Sequence, residues 1–102
     1  GSWKIRLSEI IYVESKDKHT IIRTIDNYFE CCRYMQEIER MLPKDRFIRS
    51  HRSCIVSFLH IRNHDNKTIC FDNNERATIS RRYLTDFKKA FQEYIVRYNT
   101  KD

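Results

Sequence analysis

The stretch Arg46–Val56, RFIRSHRSCIV, decides how this chain is read. Phe47, Ile48, Ile55 and Val56 bracket Arg49, His51 and Arg52. Aromatic and β-branched side chains suit a half-buried pleated surface, so the flanks read as anchors, while the centre fits either a strand or a turn of helix. The nearest carboxylate, Asp45, lies ahead of the run. Cations set among apolar anchors with so little acid to neutralise them point to an anionic partner outside the chain.

The rest of the chain agrees with that direction. Its 102 residues fit one domain with a modest core, and Gly1-Ser2 reads as a tag remnant ahead of a domain over 3–102. A hydrophobic share of 40% marks a folding sequence rather than a disordered one. One glycine and one proline leave no room for a linker or low-complexity tail. The net charge of +6 raises the local concentration of polyanions, nucleic acid first among them. Cysteines at 31, 32, 54 and 70 have no C-x-x-C spacing. They read as buried thiols in a reducing cytoplasm. No apolar run reaches membrane-spanning length and no signal peptide is visible.

Outward from the central stretch, periodicity predicts a mainly β chain. Trp3–Leu7 alternates apolar and basic residues and reads as a half-buried strand. IIYVES and HTIIRTI are two more strands joined by the charged loop KDK, and YFECC pairs with the latter across Asp26-Asn27. Over Tyr34–Leu42 the period changes to helical, with Met35, Ile38, Met41 and Leu42 on one face and Pro43 as the stop. Ile55–Ile61 reads as strand, and TICF and ERATI form a second hairpin. Ser80 is placed to N-cap a final helix whose stripe is Leu84, Phe87, Phe91, Tyr94, Ile95 and Tyr98.

Catalytic patterns are weak. Glycine-rich phosphate loops are absent, and no carboxylate pair stands at an acid–base spacing. Cys54 follows His51 by three residues, but a thiol in an apolar run is a buried thiol before it is a nucleophile. His60 and His64 are four apart across a strand and turn, and structural zinc wants four ligands, usually with thiolates. No metal or cofactor is expected. The basic loops carry more: Lys16–His19, Arg49–Ser53, and Ser80–Arg82 at a helix start. Arginine forks read guanine edges, and serines and free helix-start amides accept phosphate. Cations at a helix N-terminus oppose its dipole by a few tenths of a kcal/mol, which an anion nearby would reverse.

Three segments in this order, EIIYVES, DRFIRSHRSCIVS and ATISRRYLTDFKKAF, resemble the LytTR DNA-binding domain, the output domain of LytR/AlgR/AgrA-type response regulators. The resemblance runs from about Ile5 to Phe91. It implies an elongated arrangement of small antiparallel β-sheets with a short middle helix and a C-terminal helix. It also implies sequence-specific binding of double-stranded DNA by loops laid in successive major grooves, and no enzyme activity. By motif, the base-contacting positions are His19, Arg52 and Arg82. Lys16, Lys18, Arg49, His51, Ser53, Ser80 and Arg81 would then serve the phosphate backbone. Ser57 stands where relatives usually carry Asn. The family further implies dimers on paired repeat sites and an upstream receiver domain in a cytoplasmic transcription regulator. The alternative is a basic protein-interaction module docking an acidic partner through these loops and the aromatic stripe of the last helix.

Overall fold

Two antiparallel sheets and two helices make up the structure, a computed structural model that describes residues 4–99. β1 (Ile10–Lys16), β2 (His19–Thr24), β3 (Tyr28–Cys31), β4 (Phe47–His51) and β5 (Cys54–Ser57) form a sheet in the order β3-β2-β1-β5-β4. β6 (Ile61–His64), β7 (Thr68–Phe71) and β8 (Arg76–Thr78) form a second sheet in chain order. α1 (Met35–Met41) falls between β3 and β4, and α2 (Arg81–Asn99) closes the chain. The expected mainly β architecture is therefore present, 40 × 31 × 26 Å along its principal axes.

The five-stranded sheet is covered on both faces. Val13, Ile55 and Phe47 point to one side, where Met35 and Ile38 of α1 and Leu42 just past its end bury against them. Tyr12, Val56 and Cys54 point to the other, toward Ile69 and Phe71 of the small sheet and Phe87 of α2. A central strand packed on both faces must be apolar throughout, which is why Ile10–Val13 is continuously buried. Phe58 joins the layers, its ring 5.7 Å from Phe91 and 5.3 Å from Tyr94. The aromatic stripe of α2 thus packs inward, with Phe87 buried and Phe91 and Tyr94 partly buried.

Four sequence expectations change. Lys4–Leu7 forms no strand, and a 3-10 turn occupies Leu7–Glu9; Trp3 lies outside the described residues. The strand expected over Ile55–Ile61 breaks at a 3-10 turn, Phe58–His60, so that β5 and β6 belong to different sheets. Met41, assigned to the buried face of α1, is 63% exposed. It precedes Leu42, which carries the contact instead. Cys32 is exposed, so the thiols are not all buried.

Candidate nucleic-acid interface

The basic segments are brought together by main-chain bonds. β1 and β5 run antiparallel, so the end of β1 meets the start of β5. Ser15 N–H donates to Ser53 C=O at 2.9 Å, fastening the β1–β2 hairpin to the β4–β5 turn. Ser80 N–H donates to Ser50 C=O at 2.9 Å, fastening the start of α2 to β4. Lys16–His19, Arg49–Ser53 and Ser80–Arg82 therefore lie at one end of the large sheet.

The β1–β2 connection is a two-residue turn, Asp17-Lys18, between the paired residues Lys16 and His19. Both turn residues have positive φ, 51° and 67°. Such turns match the strand twist and favour Asn, Asp and Gly. Lys18 is none of these, and a left-handed side-chain-bearing residue costs about 1–2 kcal/mol. Its amine stands exposed at the tip.

The β4–β5 turn is braced from within. Arg49 Nε donates to Glu39 Oε1 of α1 at 3.0 Å, and Arg49 Nη1 donates to Arg52 C=O. Arg49 thus has an acid that the linear sequence kept ten residues away, and its side chain is only 13% exposed. The expectation that the cations of this stretch lack an internal partner fails at Arg49. Its first task is to fix the turn that carries Arg52, whose own side chain is exposed. His51 is also fixed. Ser53 N–H donates to its Nδ1 at 3.1 Å, with Ser53 Oγ 2.8 Å from the same nitrogen. An accepting Nδ1 places the proton of the neutral ring on Nε2.

The side chains leave this end in two directions. Lys18, Arg49 and Arg52 line a groove of about 1020 Å³ with Tyr34, just ahead of α1, and Tyr83 of α2, while Ser53 borders both this groove and the cavity opposite. His51 turns to the opposite face, into a cavity of about 170 Å³ with Glu14 and Arg76. His19 shares that second face. It opens β2 rather than sitting in the loop, and its Nδ1 is 2.7 Å from Glu30 Oε1 on β3. Arg82 is exposed on the first turn of α2, its Cζ 5.5 Å from the Tyr83 ring centroid. Ser80 joins that turn through its main chain, its carbonyl accepting from Tyr83 N–H at 2.9 Å. Arg81 and Lys16 are exposed. Among the described residues, no carboxylate pairs with Lys16, Lys18, Arg52, Arg81 or Arg82.

Other candidates are occupied otherwise. Burial pushes the Cys54 thiol up to about 12, so it stays protonated beside His51. His60 is buried, its ring nitrogens 2.9 Å from Asp72 Oδ2 and 2.7 Å from Ser8 O. His64 lies edge-on to Phe87, 5.0 Å between ring centres. The described residues hold no cluster of three or more metal-ligating side chains. No helix among them is long and apolar enough to cross a membrane.

Comparison with known proteins accounts for this arrangement. The LytTR DNA-binding domain family matches residues 1–92. The chain belongs to the LytTR DNA-binding domain family. A LytTR domain of known structure from Bacillus cereus superposes with a TM-score of 0.79 at 36% identity, covering 84% of each chain. The sensory transduction protein LytT of Bacillus subtilis is 28% identical over 86 residues, 79% of this chain and 36% of LytT. The CO-responsive transcriptional regulator RcoM of Rhodospirillum rubrum is 36% identical over 53 residues, 52% of this chain and 22% of RcoM. The chain thus spans about a third or less of the curated relatives it matches. The LytTR family is defined by DNA binding and is not an enzyme class.

Proposed function

We propose that this LytTR domain binds double-stranded DNA sequence-specifically, as the output domain of a two-component transcription regulator in the cytoplasm. The observation that carries the reading is the pair of main-chain bonds, Ser15 to Ser53 and Ser80 to Ser50. They bring three basic segments, distant in sequence, to one end of a rigid sheet. Arg52 and Arg82 read base edges from there, and His19, turned to the other face 2.7 Å from Glu30, reads a base edge from that side. Arg52 and Arg82 present guanidinium forks suited to guanine in a major groove. Lys16, Lys18, Arg81, Ser53, Ser80 and His51 serve the phosphates of the flanking backbone, and Arg49 acts by holding the Arg52 turn. Holding these segments in place before binding lowers the entropy lost on association. Loops in successive grooves, paired repeats bound by a dimer and an upstream receiver domain complete the proposal. The interaction-module alternative is weakened because Phe87 is buried and Phe91 and Tyr94 are partly buried against the core.

The test is a duplex selected from a random pool, compared with its scramble. Arg52→Ala and Arg82→Ala should each cost about 1–3 kcal/mol on the selected duplex and relax discrimination at one base pair. Lys16→Ala should weaken both duplexes alike and reduce the salt slope by about one ion. Wild-type affinities of Arg52→Ala for both duplexes would exclude base reading by that residue.

A further inference from the structure

α1 begins with a residue chosen against local stability. Tyr34 occupies its N-cap, where Ser, Thr, Asp or Asn would satisfy a free amide of the first turn. The tyrosine side chain makes no cap hydrogen bond. Tyr34 N–H donates to Glu37 Oε1 at 3.3 Å. Nor does the ring pack inside: Tyr34 is 76% exposed. A large aromatic group that neither caps nor packs, at a position where a smaller polar residue would do better, breaks a local rule without structural return.

Its position suggests what the ring does. Tyr34 stands on the rim of the groove lined by Lys18, Arg52 and Ser53. A polyanionic strand drawn to the exposed amine of Lys18 and the exposed guanidinium of Arg52 passes along this opening. The occupant that fits is a sugar–phosphate strand: its charge complements the two cations, and its deoxyribose edges offer apolar surface to an aromatic ring. Tyrosine suits such a boundary, with an apolar body and a polar tip.

We propose that Tyr34 is a further DNA-contacting residue, its ring against the sugar–phosphate backbone beside Lys18 and Arg52 and its hydroxyl donating to a phosphate oxygen. The inference rests on the duplex-binding reading above. Because the contact is to backbone, it strengthens binding to every sequence and leaves discrimination unchanged.

Tyr34→Ser separates this role from a structural one, because the two have opposite signs. The serine supplies the missing cap, so the melting temperature should rise by about 4 °C. Affinity for a long mixed-sequence duplex, read by fluorescence anisotropy, should fall about fivefold to tenfold. Tyr34→Phe, which keeps the ring and loses only the hydroxyl, should fall by less. Wild-type affinity in Tyr34→Ser would overturn the proposal while wild-type binding upheld the duplex reading. Failure of the wild-type chain to bind the duplex at all would overturn both.

Discussion

Lys18 shows how one residue can be placed against its own backbone preference. Its φ of 67° is a conformation glycine takes freely and lysine does not. The turn needs this geometry because Lys16 and His19 pair directly across it. Lys18→Gly should therefore raise stability by about 1 kcal/mol in a urea titration. On the proposed role of Lys18 as a phosphate contact, the same change should weaken binding to specific and scrambled duplexes equally. A glycine variant that bound DNA as wild type would remove Lys18 from the interface. Arg49 gives the complementary case. Its charge is spent inside the protein on Glu39, so its value lies in the turn it holds.

Among the elements, α2 is the one that both closes the core and presents cations. Arg81 and Arg82 are exposed on its first turn, and Phe87 is fully buried below them. Phe58, in the turn between the two sheets, lies 6.5 Å from Phe87 and 5.7 Å from Phe91, ring centre to ring centre, and ties the helix to them. Phe87→Ala should cost about 3–5 kcal/mol, measured by thermal or denaturant unfolding. Near-wild-type stability in that variant would mean that α2 is not anchored through this ring. β4 and β5 also act as a unit. The register shift between Arg49 and His51 lets Arg49 face α1 while His51 faces the opposite cavity. Such bulges re-aim side chains near functional sites.

At the scale of the whole molecule, Glu75 joins the two sheets. Its carboxylate accepts from Tyr12, Arg23 and Tyr28, one residue on each of three neighbouring strands, and from Asn73. Burial alone would raise its pKa, but the hydrogen bonds from Arg23, Tyr28 and Asn73 and the Arg23 charge outweigh it and pull the carboxyl down to about 2. A carboxylate depressed on folding stabilises the native state above its ordinary pKa, and that stability is lost as pH falls through the native value. The contribution is therefore present at neutral pH and fades between about 4.5 and about 2. Glu75→Gln should lower stability at pH 7 by about 2 kcal/mol, and the gap to wild type should close toward pH 2. A gap that stayed constant down to pH 2 would exclude the ionised clasp.

Local pattern was enough for most strands, for both helices and for the three basic segments, because strand and helix periods are written into short windows and turn residues sit between them. EIIYVES, DRFIRSHRSCIVS and ATISRRYLTDFKKAF carry the family likeness for the same reason. The break at Phe58–His60 was hidden, since Phe58 and His60 are buried and Leu59 between them is exposed, the alternation a half-buried strand also shows. Tertiary structure alone paired Arg49 with Glu39, gathered Arg23, Tyr28 and Tyr12 on Glu75, and sent His19 and His51 to one face while Arg49 lines the groove on the other. These are contacts between residues far apart in sequence or on different elements. They depend on sheet register and on the packing of two layers, which no local window contains.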